Sequence, residues 1–84
     1  MGQELSYTDI KHRRLGSLTH EERQDVRALL SLLSAEAVGL EDEGANHVTL
    51  NVRGSVLVQN ALQVPRTATV GELVDWARMM APRL

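Results

Sequence analysis

The chain has 84 residues and a mass of 9.3 kDa; 43% of the residues are hydrophobic, 24% are charged, and the formal net charge is −2. This composition is too apolar for a disordered chain, and no apolar run approaches the roughly 18–20 residues that a membrane span needs. Because the sequence contains no cysteine, it excludes disulfide scaffolds, zinc sites with cysteine ligands and thiol chemistry. No stretch has the layout of a secretory signal peptide, so we expect one small domain in the cytoplasm.

Residues 1–16 predict an N-terminal arm that carries one short helix, ahead of a single domain over 17–84. Ser6 stands three residues before Asp9, which is a weak helix-capping pair, and Gly16 can end the turn in a left-handed conformation. The arm contains few apolar residues, so its helix must dock on the domain or fray.

The next segment predicts an amphipathic helix over about 20–38. Thr19 and Glu22 have the spacing of a capping box, in which each side chain accepts a hydrogen bond from the other residue's backbone N–H. Apolar residues then recur at steps of three and four, and Gly39 is placed to end the helix. The residues of this stripe are Val26, Leu29, Leu30, Leu33 and Ala37.

After an acidic loop, the hydrophobic period changes from 3.6 to 2, which predicts a β-hairpin over about 48–64. A three-residue loop at 53–55 sets Val52 opposite Val56 and Leu50 opposite Val58, with the apolar side chains on one face. Leu62 and Val64 keep the same parity, so residues 59–64 either extend the second strand or form a third one.

A second capping box at Thr69 and Glu72 begins a helix over about 70–80, which Pro82 ends. A two-stranded hairpin is marginal alone in water, so the two long helices must cover its apolar face. We therefore predict a small two-layer α+β fold with the element order (α)-α-β-β-α.

No residue pattern indicates an enzyme or a cofactor. The three histidines, His12, His20 and His47, lie in separate segments and lack the compact spacing of metal ligands. The serines do not stand in a strand–turn–helix elbow, and no phosphate-binding glycine motif is present. We expect neither catalysis nor a bound metal or cofactor.

The N-terminal arm suggests an alternative function in membrane or nucleic-acid association. Gly2 lies in an M-G-x-x-x-[ST] pattern, which is typical of N-myristoylation, and Lys11, Arg13 and Arg14 form a basic cluster that can contact an anionic surface. We expect membrane contact only if Gly2 is acylated. Nucleic-acid binding is disfavoured because the chain has no concentrated basic face.

The function that the sequence favours is a non-enzymatic protein–protein interaction module for docking or assembly, with another protein or a second copy of the chain as partner. The α-β-β-α order resembles that of phage head–tail joining proteins and of the β-hairpin docking domains of multienzyme synthases, both of which are interaction modules. We expect the contact surface to comprise the hairpin edge and the last helix. Its predicted residues are Arg53, Val56, Val58, Trp76, Met79 and Met80.

Overall fold

The computed structural model describes residues 7–55 and 61–81. Its helices are α1 (Tyr7–Ile10), α2 (His20–Leu32) and α3 (Val70–Met80), and a 3₁₀ turn spans Leu15–Ser17. Its strands are β1 (Ala35–Val38), β2 (His47–Val52) and β3 (Ala61–Pro65). These elements confirm the predicted α+β class.

The three strands form an antiparallel sheet in the order β1-β2-β3, with β2 in the centre. Both long helices contact the sheet and each other, with α2 against β1 and α3 against β2. They cover the face on which the alternate strand residues are buried, so the described residues form one helical layer on one sheet layer. The buried strand residues are Ala35, Ala37, Val48, Leu50, Val52 and Val64.

Helix α2 begins as predicted but ends earlier. The Thr19 hydroxyl accepts a hydrogen bond from the Glu22 N–H, and the Glu22 carboxylate accepts one from the Thr19 N–H, which completes the capping box. The helix ends at Leu32, and Ser34 adopts the left-handed φ of 56°. The predicted extension to residue 38 is therefore wrong, because the backbone reverses at Ser34 and cannot continue the helix.

Residues 35–38 form β1 instead, with buried Ala35 and Ala37 alternating with exposed Glu36 and Val38. They pair with β2, and Ala37 lies opposite Leu50. The predicted hairpin therefore becomes a three-stranded sheet, because pairing with β2 outweighs the helical propensity of Ala and Glu.

The predicted register of the second strand is also wrong. In β3, Leu62 lies opposite Leu50 and Val64 lies opposite Val48. Val52 has Ala35 of β1 as its partner. Val56 and Val58, which the prediction placed opposite β2, lie outside the described residues. The alternation of apolar residues does not distinguish the two registers. Leu62 and Val64 are an even number of residues from Val56 and Val58, so either pair places its side chains on the same face of the sheet.

Helix α3 has the predicted bounds, and its capping box between Thr69 and Glu72 is present. It contributes Val70, Leu73, Val74, Ala77 and Met80 to the core. These residues recur at steps of three and four, which is the stripe that an amphipathic helix buries against a sheet.

The described part of the arm is built into the core, with Ile10 and Leu15 each 1% exposed. Backbone N–H groups of Leu15 and Gly16 donate to carbonyls of the segment before α3, and arm carbonyls accept from the N–H groups of Val70 and Gly71. The arm thereby satisfies donors at the start of α3 that the helix itself leaves free.

Candidate interaction surface

The described elements leave the face of the sheet opposite the helices uncovered. We call it the open face. Along each strand it carries the residues that alternate with the buried ones, all of them exposed or half-buried. They are Glu36, Val38, His47, Thr49, Asn51, Ala61, Gln63 and Pro65.

The register arranges these side chains in rows across the sheet. Val38, Thr49 and Gln63 form one row, and Glu36, Asn51 and Ala61 form the next. Except for the exposed apolar Val38, these side chains are small or polar, and Glu36 is the acidic residue among them.

The hydrogen-bond pattern fixes the direction of the backbone groups on β1. The Arg53 N–H donates to the Ser34 carbonyl over 2.9 Å, so these two residues form a hydrogen-bonded pair. Pairs of this kind alternate in an antiparallel ladder, so Glu36 and Val38 also point their backbone groups at β2. Those of Ala35 and Ala37 consequently point away from the sheet.

The same argument applies to β3. The Arg66 N–H donates to the Asn46 carbonyl over 3.1 Å, and alternation along the ladder directs the backbone groups of Val64 and Leu62 at β2. The backbone groups of Gln63 and Ala61 then point outward. Pro65 is also an outward position, which agrees with its lack of an N–H group.

The two edges differ in charge. β1 carries Glu36, whereas β3 carries no charged side chain. Natural proteins commonly protect an exposed edge with charged residues or proline, and Pro65 provides such protection only at the last position of β3. Within the described part of the chain no further strand pairs with the outer side of β3. β3 is therefore the edge better suited to pairing with another strand.

A groove of about 650 Å³ adjoins the open face where α2 turns into β1. Hydroxyl, amide, carboxylate and guanidinium groups line it, but they do not include an imidazole that could act as a base beside a serine nucleophile. Its lining residues are Ser31, Ser34, Ala35, Glu36, Asn51, Val52 and Arg53.

A second groove, of about 410 Å³, lies between the arm and α3. Lys11 and Arg78 give it positive charge, while Glu72 and Asp75 give it negative charge. The two signs compensate each other, so the groove has no preference for an anionic or a cationic ligand.

The resolved pKa shifts have structural causes. The Thr19 N–H that donates to the Glu22 carboxylate lowers the pKa of Glu22, and the guanidinium of Arg13 lowers it further. The hydrogen bond from Arg27 lowers the pKa of Glu41 in the same way. In both cases the contacts stabilise the charged carboxylate. Glu22 lies at a helix cap and Glu41 lies in an ion pair, and neither lines one of the two grooves.

The predicted contact residues are distributed over different environments. Arg53 is exposed in the turn after β2, and Met79 is 70% exposed on α3. Trp76 is half-buried and packs against the core. Met80 is 1% exposed, so its assignment to the contact surface is corrected: the helical stripe directs it into the core.

The basic cluster of the arm is largely occupied by contacts within the domain. Arg13 donates to the Ser17 carbonyl and forms an ion pair with Glu22 at 3.0 Å. Arg14 donates to the Thr67 carbonyl. Lys11 is half-buried beside the second groove. Gly2, the predicted acylation site, lies outside the described residues.

Glu36 and Gln63 are surface residues that the sequence interpretation missed. The helical period places Glu36 in a helix, and the sequence pattern does not locate the edge strand that carries Gln63. The alternation of Ala35 and Ala37 with Glu36 and Val38 was the available signal, but it competed with a helical period over the same residues.

Comparison with family models, with curated proteins and with solved structures gives no match. Within residues 7–55 and 61–81, no helix has the length and apolar character to cross a membrane. The same residues contain no cluster of three or more histidine, aspartate or glutamate side chains that could hold a metal ion.

Proposed function

We propose that this chain is a non-enzymatic protein–protein interaction module that binds an extended, uncharged segment of its partner at the edge of its sheet. The observation that carries the proposal is the outer side of β3, where the outward backbone groups of Ala61 and Gln63 accompany no charged side chain. An added strand would pair with these groups and extend the sheet.

Strand addition fits the chemistry of this surface. Backbone hydrogen bonds provide affinity without catalytic groups, and the side chains of alternate residues provide specificity. The open face beside the edge offers Gln63 and the neighbouring Thr49 as polar contacts for such side chains. On α3, the exposed Met79 is a further contact candidate, because its flexible apolar side chain adapts to different partners.

The alternative function through the N-terminal arm has less support. Arg13 and Arg14 already donate hydrogen bonds to carbonyl groups of the domain. Recruiting them to phosphate groups would require breaking these contacts, and the remaining cation, Lys11, is too little for stable binding to an anionic surface.

The test compares two substitutions at one position. Gln63→Pro removes the outward N–H, whereas Gln63→Thr keeps it and changes only the side chain. Neither substitution removes a hydrogen bond to β2, because Gln63 and Thr49 form a non-hydrogen-bonded pair. Circular dichroism and thermal unfolding check that both variants fold.

Proteins captured from a host extract by the immobilised 84-residue chain are purified and titrated by calorimetry. We expect Gln63→Pro to weaken binding at least about 5-fold, since one net hydrogen bond contributes about 1 kcal/mol, and Gln63→Thr to have a smaller effect. Equal binding by wild type and both variants, or neither a captured partner nor self-association, would refute the proposal.

A further inference from the structure

The outward backbone groups of β3 are complementary to those of a second β3 strand. A twofold axis at Gln63 sets this residue opposite itself, where the two copies exchange both N–H···O=C bonds. The same axis sets Ala61 opposite the partner's Pro65, and the Ala61 N–H then donates to the proline carbonyl. The missing N–H of Pro65 costs the pair one donor on each side but leaves this bond intact.

The side chains on both faces also match under this symmetry. On the open face, the Gln63 amide meets the same amide of the second copy, where each can donate and accept. On the face that the helices cover, half-buried Leu62 lies opposite the partner's Val64. Apolar cross-strand neighbours of this kind stabilise antiparallel pairs.

Other pairings of the edges are less favourable. A twofold pairing of two β1 strands that places Ala35 opposite Ala37 sets Glu36 opposite Glu36, and like charges directly opposite each other destabilise a sheet. Pairing of β1 in one copy with β3 in another is a heterologous contact. It leaves one β1 edge and one β3 edge free, so further copies can add and form an open filament instead of a closed dimer.

We propose that the occupant of the β3 edge is a second copy of this chain, in a twofold dimer with one continuous six-stranded sheet. This inference rests on the proposed function and names the partner for the same edge. Dimerisation also supplies burial that a domain of this size lacks, because small chains bury a low fraction of their surface.

The sequence contains no cysteine, so single-cysteine variants report unambiguously on the geometry. The row of Val38, Thr49 and Gln63 crosses the sheet at right angles to the strands. With neighbouring strands about 4.8 Å apart, the dimer separates equivalent Cα atoms by about 5 Å at position 63, 14 Å at position 49 and 24 Å at position 38.

The experiment applies a short bismaleimide linker to Gln63→Cys, Thr49→Cys and Val38→Cys of the full chain. We expect a covalent dimer to form much faster at position 63 than at the other two positions. A spin label at position 38 should report a separation near 24 Å plus the label arms. Preferential cross-linking at position 38 would instead place β1 at the interface and overturn the inference.

Sedimentation provides the second readout, with two lysine substitutions on the same face as a matched pair. Gln63→Lys opposes two like charges at the axis and should weaken the dimer by about 3- to 5-fold. Val38→Lys adds the same charge on the far edge and should leave the association constant within about 2-fold.

A wild-type chain that is monomeric at all concentrations overturns the dimer. If a different captured protein binds the Gln63→Pro variant more weakly than the wild type, the proposed strand-addition function stands without the dimer. If no binding depends on that N–H group, both proposals fail.

Discussion

Replacement of Leu15 by alanine tests whether the arm is part of the folded domain. Leu15 is 1% exposed, and its backbone N–H donates to the Ala68 carbonyl over 2.9 Å. Truncation to alanine removes transfer free energy of about 0.8 kcal/mol per carbon and leaves a cavity, for a total cost of about 2–5 kcal/mol. A domain of 84 residues has a stability of about 4–12 kcal/mol, so the loss is a large fraction.

The assay is equilibrium unfolding in urea, followed by the fluorescence of Trp76, the single tryptophan of the chain. With a slope of about 1 kcal/mol per molar urea, the midpoint should fall by about 2 M or more. The matched control is Leu32→Ala, because Leu32 is 83% exposed and its truncation should change stability by less than about 0.5 kcal/mol. Equal midpoints for the two variants would show that the arm does not contribute to the core.

Two further predictions concern the helix caps. Thr69→Ala removes the hydroxyl that accepts from the Glu72 N–H, and should lower the free energy of unfolding by about 1 kcal/mol in the same urea assay; no change would contradict the capping geometry. Glu22 has a pKa that is lower in the folded chain, so its charge stabilises the fold fully above its ordinary pKa and loses this effect as the pH falls through the lowered value. The neutral variant Glu22→Gln should therefore be less stable than wild type at pH 7 and approach it in acid, and a pH-independent difference would contradict this.

The sequence predicts the local features of this fold well. Both capping boxes depend on residues three positions apart, so Thr19 with Glu22 and Thr69 with Glu72 are determined without tertiary contacts. The stripe of α3 is strong enough to give the bounds of that helix. These features use interactions within one turn of chain, which a single sequence displays directly.

The candidate surface depends on strand pairing, which the sequence displays only ambiguously. Leu33 and Ala37 continue the helical stripe, while Ala35 and Ala37 equally fit a strand with one buried face. The choice is decided by β2, whose backbone groups need partners on both sides. Once β1 occupies one side, β3 becomes the second edge, and this places Gln63 at the candidate interface.

Ser34 is the residue at which the helical and extended alternatives separate, and its substitution distinguishes them. In the structure its φ of 56° is a left-handed conformation that costs an L-residue about 1–2 kcal/mol and glycine little. Ser34→Gly should therefore stabilise the fold, by about 0.5–1 kcal/mol after the greater freedom of glycine in the unfolded chain is included.

Ser34→Val should destabilise the fold, because a β-branched side chain fits the left-handed region poorly. A helix that continued to residue 38 would reverse the effect of glycine, since glycine in a helix interior is less favourable than serine by a few tenths of a kcal/mol or more. Urea midpoints in the order glycine, serine, valine support a strand at 35–38. A glycine variant less stable than wild type would show that residues 35–38 do not form the strand β1.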